Sequence, residues 1–182
     1  MTFSDAVKTC FRKYVTFSGR ASRVEYWFFF LFVVIWSALA GIIDWQFFTQ
    51  VTQTQVGDTT TTTATSNGPT QSIVALIVFL PHLSVAWRRM HDSGRSGLYA
   101  LFPLLLVLGA LAILVFGIGL ASTFGHSGAH QLDILFTRAT LLIVIPTLII
   151  LVLSPLLMLW WLTRPSQPGT NKYGPNPHEV TS

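Results

Sequence analysis

Charged side chains are scarce in this sequence of 182 residues. Asp, Glu, Lys and Arg together make up 10% of the chain, whereas soluble globular domains carry about 25%. Hydrophobic residues make up 51%, and the mean hydropathy is +0.57. This deficit of charge excludes an ordinary soluble domain and predicts a protein embedded in lipid. The net charge of +4 does not predict a nucleic-acid partner, because the basic residues lie beside apolar segments, where membrane topology accounts for them.

Cysteine is almost absent. The one cysteine, Cys10, excludes a disulfide within the chain and a zinc site built from thiolates. Histidine offers one alternative metal motif, because His126, His130 and Asp133 have the spacing of a single helical face. Two nearby glycines weaken such a helix, so we interpret the segment as an exposed loop and expect no metal ion and no cofactor.

Long runs without charge indicate the fold class. We predict an all-α integral membrane protein with four transmembrane helices, forming one membrane domain over residues 1–182. A bilayer core of roughly 30 Å requires about 20 apolar residues. The second segment is short, at about 22 Å, so we expect it to extend upstream, to thin the bilayer or to rely on arginines that reach the interface. The four segments are residues 26–43, 73–87, 98–120 and 137–163.

Proline and a small-residue motif lie within these predicted helices. Pro81 is expected to kink the second helix and free a backbone carbonyl, and Pro146 and Pro155 are expected to break the fourth. The first segment contains Ala38-Leu39-Ala40, which is similar to a signal-peptide cleavage site. The apolar segment and its basic leader are both long, so an uncleaved first crossing is favoured.

Lysine and arginine are missing from two of the connecting segments, residues 44–72 and 121–133. Ten of the eleven basic residues lie in the other three polar segments, and Arg138 is the exception. Basic residues are retained on the cytoplasmic side of a membrane, so this asymmetry predicts four crossings with both termini in the cytoplasm. Residues 44–72 are rich in Thr and Gln, and we expect them to form a flexible outer loop.

The two ends of the chain have distinct patterns. Residues 1–17 form an amphipathic arm with a basic polar face, which is typical of a helix on an anionic membrane surface. A helix packed against the rest of the protein explains the same pattern equally well. The tail, residues 164–182, is rich in Pro and Gly, and we expect it to fold back with Tyr173 at the inner interface.

The letters S-G-R occur twice, at Ser18-Gly19-Arg20 and at Ser93-Gly94-Arg95, each time before an apolar run. The glycines give the backbone freedom for a turn. Ser22 begins the pattern S-x-x-E of a capping box with Glu25, and Ser96 is placed to cap the third helix.

Five arginines and two acids fall on the predicted inner face, with His91 between them. Charge-assisted hydrogen bonds that join the helix ends are one interpretation of this group. A basic site for a lipid phosphate or another anionic ligand is the other, because the arginines outnumber the acids. The arginines are Arg20, Arg23, Arg88, Arg89 and Arg95, and the structural charge partners are Glu25 and Asp92.

Three stretches carry a resemblance to a known family. Residues 17–28 (FSGRASRVEYWF), 80–97 (LPHLSVAWRRMHDSGRSG) and 169–177 (GTNKYGPNP) are similar to the signature blocks of the YhaH-like bacterial inner-membrane family, a domain of unknown function (DUF eight-hundred-and-five). The resemblance implies a small four-helix protein of the bacterial cytoplasmic membrane and no established activity. The long Thr-rich loop and Leu98-Tyr99, where a tryptophan is expected, depart from the family pattern.

Three functions are compatible with these patterns. We favour a non-enzymatic scaffold or binding protein whose basic inner face engages anionic lipid, another membrane protein or a second copy of the chain. The alternative is a small oligomeric transporter or channel that uses His82 and Arg138. An enzyme built on His91 and Asp92 is disfavoured, because adjacent helical residues do not face each other.

Overall fold

The structure is a computed structural model that describes residues 1–56, 59–66, 68–124 and 130–179. This described part is mostly helical, and five α-helices account for most of its residues. A short 3-10 helix spans Gly97–Ala100. The other elements are α1 (Phe3–Arg12), α2 (Arg23–Phe48), β1 (Thr49–Val56), β2 (Thr59–Ser66), α3 (Pro69–Asp92), α4 (Phe102–Phe124) and α5 (His130–Thr163).

Three helical segments in the described part of the chain are long and apolar enough to cross a membrane. They are Arg23–Phe48, Pro69–Asp92 and Val144–Thr163. The apolar stretch Phe102–Gly117 in α4 is shorter than these three. The second predicted segment does extend upstream, because α3 begins at Pro69, where proline suits the first turn of a helix.

The connection between α2 and α3 corrects the expectation of a flexible loop over residues 44–72. Helix α2 continues to Phe48, and β1 and β2 form an antiparallel hairpin in which Thr49 pairs with Ser66 and Val56 pairs with Thr59. Threonine is branched at Cβ and favours extended backbone, which explains why this Thr-rich segment forms strands. It also means that the protein is not purely all-α.

Helix α5 corrects a second expectation, since it runs unbroken through Pro146 and Pro155. Helix α3 likewise continues through Pro81. A proline removes the hydrogen bond to the carbonyl four residues earlier, which for Pro81 is that of Ile77. The hydroxyl of Tyr14 donates to this carbonyl oxygen at 2.7 Å. The predicted free carbonyl therefore has a donor from the turn that follows Arg12.

The amphipathic arm packs against the helices that follow it. Ala6 and Cys10 on α1 are fully buried, and Phe11 contacts the rings of Phe29 and Phe32 on α2 edge to face. The apolar face of α1 therefore covers α2, as the second of the two interpretations predicts. A full capping box between Thr2 and Asp5, which the sequence analysis missed, begins the helix.

Asp44, near the end of α2, joins this helix to the start of α3. Its carboxylate oxygens accept hydrogen bonds from the backbone N–H groups of Thr70 and Gln71, at 2.9 and 2.8 Å. The N-cap residue of α3 is Gly68, which has no side chain to offer. Asp44, on the neighbouring helix, therefore supplies the acceptor that an N-cap side chain normally provides.

Candidate functional site at the basic end of the bundle

The segments that carry most of the basic residues meet at one end of the helical bundle. This end combines the start of α2, the last turns of α3 and α5, helix α1 and the tail. The backbone N–H of Ala21 donates to Arg88 O, and that of Gln167 donates to Asp92 O. Beneath them lies an apolar core that includes Tyr26, Phe29, Val85, Met90 and Leu162. The structure thus brings together segments that are far apart in the sequence.

Five residues form the buried charge cluster: Arg20, Glu25, Arg88, Arg89 and Asp92. Arg88 Nη1 donates to Glu25 Oε1 at 2.6 Å, and Arg20 Nε donates to Asp92 Oδ1 at 2.9 Å. Arg89 donates to the other oxygen of Asp92. Arg88, Arg89 and Asp92 are all 0% exposed. Each acid is therefore held by at least one guanidinium group in a site removed from solvent.

Arg89 also closes the end of α5. Its Nε donates to Leu162 O at 3.1 Å, and its Nη2 donates to Arg164 O. The last carbonyl groups of a helix lack partners within the helix, and a basic side chain stabilises them. Arg89 therefore links α3 to α5 as well as neutralising Asp92.

Arg20 holds the tail on the bundle. Its Nη1 donates to Gly169 O at 2.7 Å, and its Nη2 donates to Gln167 O. The hydroxyl of Ser166 donates to Asp92 Oδ2. Ser166 and Gln167 were not predicted, because residues that contribute through backbone carbonyls or a single hydroxyl leave no pattern in a sequence.

His91 contacts the tail and not Asp92. The ring of His91 lies 3.7 Å from that of Tyr173 and is parallel to it within 3°. Its Nδ1 lies 3.1 Å from Gly19 O, and its backbone carbonyl accepts a hydrogen bond from Asn171 Nδ2. The tail therefore folds back as the sequence predicts, and the two adjacent side chains point to different partners.

The capping box predicted for Ser22 and Glu25 is only half formed. Ser22 does accept a hydrogen bond from the backbone N–H of Glu25, at 3.1 Å. The Glu25 carboxylate binds Arg88, and Cys10 Sγ lies 3.9 Å from it. An ion pair with a buried arginine is stronger than a bond to one backbone N–H, so the carboxylate leaves the cap. Burial, with a smaller contribution from the charge of Glu25, raises the pKa of the Cys10 thiol to about 12.

The two S-G-R turns share a backbone conformation but not a role. Gly19 and Gly94 have φ values of +85° and +77°, which glycine adopts without strain. Ser96 accepts a hydrogen bond from the N–H of Leu98, as predicted for a cap. Arg20 enters the buried charge cluster, whereas the Arg95 guanidinium lies over the ring of Trp161.

Arg23 differs from the other four arginines of the predicted site. It is exposed and, within the described part of the chain, its side chain makes no ion pair or hydrogen bond. Arg95 is half-buried, and its Nη1 donates to Ser93 Oγ. The cluster itself holds three arginines against two acids, and Arg88 Nε and Nη2 have no hydrogen-bond partner among the described residues. Positive charge therefore remains in excess at this end.

The residues proposed for transport and for metal binding are not part of the buried charge cluster. His82 is on α3, with its Nε2 3.4 Å from the Tyr26 hydroxyl and its ring beside those of Phe29 and Phe30. Within the described residues no group of three or more His, Cys, Asp or Glu side chains could hold a metal ion. The predicted roles of His126, His130, Asp133 and Arg138 rest on side chains outside those that the structure describes.

Comparison with known proteins identifies the family. The model of the family "Protein of unknown function (DUF805)" matches residues 14–175. The Escherichia coli K12 protein "Inner membrane protein YhaH" is 36% identical over 109 residues, which cover 58% of this chain and 77% of that protein. "Inner membrane protein YhaI" of the same strain is 35% identical over 121 residues, covering 66% of this chain and 85% of the relative. No solved structure matches. The family match spans most of the chain and includes every residue of the buried charge cluster, so the chain belongs to the DUF805 family, whose function is unknown.

Proposed function

We propose that this chain is a four-crossing protein of the bacterial inner membrane, with both termini in the cytoplasm, that acts as a non-enzymatic binding protein or scaffold. Its basic cytoplasmic face engages anionic phospholipid. The observation that carries the proposal is the excess of positive charge at the end of the bundle where α2 begins and α3 and α5 end. The names of the relatives YhaH and YhaI support the location.

The arginines fall into a buried group that binds acids and an exposed group, and this difference supports the proposal. Arg20, Arg88 and Arg89 are buried and bind acids, so they hold the helix ends together. Arg23 and Arg164 are exposed and stand beside the apolar helices. A basic side chain near an anionic membrane surface contributes about 1 kcal/mol of attraction. The buried arginines thus hold the helix ends in place, and the exposed arginines supply the positive charge that binds a lipid phosphate.

The topology is tested by labelling single cysteines in a Cys10→Ala background. In spheroplasts, a membrane-impermeant maleimide should label Thr62→Cys, in the hairpin, because that segment lies outside. Ser18→Cys, at a position that is also exposed, should react only after permeabilisation. The unsubstituted chain is the control, because its Cys10 is buried and its high pKa keeps it in the unreactive thiol form. Labelling of Ser18→Cys in intact spheroplasts would contradict the proposal.

The lipid preference is tested by native mass spectrometry of the detergent-purified protein. Phosphatidylglycerol and phosphatidylcholine are added in equal amounts, and the protein should retain the phosphatidylglycerol in preference. The two lipids differ in net charge, so the preference reports the basic face and not the apolar surface. Equal retention of the two lipids contradicts the proposed function.

A small oligomeric transporter or channel is the second candidate. One observation favours it, which is the pair formed by Tyr26 and His82 between two apolar helices. Polar groups at membrane depth often mark transport paths. The rings of Phe29 and Phe30 lie tilted against His82, so the described surroundings of this pair include apolar side chains. We therefore place binding at the basic face first.

A further inference from the structure

A shallow groove lies between the start of α2 and the end of α5. Its volume is about 380 Å³, within the roughly 300–1,000 Å³ of small-molecule sites. Its lining residues are Arg23, Val24, Trp27, Phe28 and Thr163. The groove belongs to the basic end of the bundle but lies outside the buried charge cluster.

The lining combines one cation with apolar surface. Arg23 is the only charged residue among the five, and no carboxylate faces it in the groove. The remaining lining is mostly the aliphatic side chain of Val24 and the rings of Trp27 and Phe28. Free anions would gain little from those rings, whereas a phospholipid presents a phosphate next to an acyl chain. The groove therefore offers a cation for the phosphate of a phospholipid and, next to it, an apolar surface for the acyl chain.

The electrostatic surroundings favour an anion at this position. Arg23 lies close enough to Arg89 for their positive charges to interact unfavourably. Arg164, the residue after Thr163, is exposed and holds its guanidinium 4.3 Å from the Trp160 ring centroid. Because the cluster beneath already carries more arginine than acid, Arg23 has no local counter-charge within the described residues.

From this geometry we propose that the groove binds one anionic phospholipid, with its phosphate on the Arg23 guanidinium and the start of an acyl chain against Val24, Trp27 and Phe28. The proposal rests on the proposed function and gives it a specific site. A guanidinium group binds phosphate through two parallel hydrogen bonds, which adds geometric specificity to the charge attraction. The bound lipid would lie between the start of α2 and the end of α5, where Arg89 already joins α3 to α5.

The test measures phosphatidylglycerol retention by native mass spectrometry for four proteins: the unsubstituted chain, Arg23→Gln, Arg12→Gln and Val24→Trp. Arg23→Gln should weaken retention about tenfold, the effect of losing one charge-assisted hydrogen-bond pair. Arg12→Gln is the matched control, because Arg12 is an exposed arginine on α1 without a described partner, and it should retain lipid as before. Val24→Trp keeps the charge but fills the groove, and it should lower retention as Arg23→Gln does.

The outcomes separate the groove from the general basic face. Equal losses in Arg23→Gln and Arg12→Gln overturn the groove and leave the proposed function standing, because the lipid is then held by diffuse charge. Full retention by Val24→Trp also overturns the groove. A chain that does not distinguish phosphatidylglycerol from phosphatidylcholine overturns the proposed function itself. Arg23 and Val24 are both exposed, so these variants should fold. Circular dichroism of each variant checks that the helices are intact.

Discussion

Asp92→Ala is expected to lower the free energy of unfolding by about 3–5 kcal/mol, the cost of removing one member of a buried ion pair. Asp92 is fully buried and receives hydrogen bonds from Arg20, Arg89 and Ser166. Without the carboxylate, two guanidinium groups remain at a site that water does not reach, and neither forms an ion pair with another acid among the described residues. The measurement is reversible unfolding in mixed micelles, followed by tryptophan fluorescence.

The same variant should also release the tail. Asp92 orients Arg20, and Arg20 in turn holds the carbonyl groups of Gln167 and Gly169. Limited proteolysis should therefore cleave the tail of Asp92→Ala under conditions where the unsubstituted protein is resistant. Asp5→Asn is the control, because Asp5 is an exposed acid that caps α1 and should have a much smaller effect. Equal stability of Asp92→Ala and the unsubstituted chain would contradict this account of the cluster.

A double-mutant cycle separates the ion pair from a general loss of packing. Arg20→Met removes the charge but keeps much of the side-chain volume, so the double variant Arg20→Met with Asp92→Ala leaves one uncompensated arginine where the single variant Asp92→Ala leaves two. If the pair is coupled, the double variant should lose less than the sum of the single losses. Strict additivity would show that Arg20 and Asp92 contribute independently.

Much of this arrangement follows from the sequence through two simple rules. Apolar runs too long for a soluble domain predict where the helices lie, and α2 and α3 contain the predicted segments 26–43 and 73–87. The one-sided distribution of arginine predicts that distant polar segments lie at the same end, and the structure brings residues 20, 88 and 167 together. Both rules use the composition of many residues, so one atypical residue does not change the prediction.

The identity of each partner could not be predicted in the same way. Whether Arg88 or Arg89 binds Glu25 depends on the rotation of α3 about its axis. Val85 and Met90 of α3 are buried in the core, and the distribution of charge along the sequence gives no information on such packing. The bond from Tyr14 to the carbonyl freed by Pro81 is similar, since it requires α1 to pack beside the middle of α3. Hydropathy also gives no information on the hairpin, because Thr is neither strongly apolar nor charged.

Gly97 offers the second large effect, and it concerns packing and not charge. A Cβ atom at position 97 would overlap the indole ring of Trp87, well inside van der Waals contact. The indole cannot move freely, because Phe17 contacts it edge to face at 5.5 Å and His91 lies 6.3 Å away. Gly97→Ala should therefore destabilise the protein by about 3 kcal/mol, at the upper end of the usual cost of overpacking.

Thermal unfolding in detergent tests this expectation with two companion variants. Gly109→Ala adds the same methyl group at an exposed position of α4 where a Cβ meets nothing within 4 Å, so it should be neutral or slightly stabilising. Trp87→Phe combined with Gly97→Ala replaces the indole by a smaller ring and should recover part of the loss. If Gly97→Ala unfolds at the same temperature as Gly109→Ala, the close approach of Trp87 does not restrict this position, and the glycine at position 97 needs another explanation.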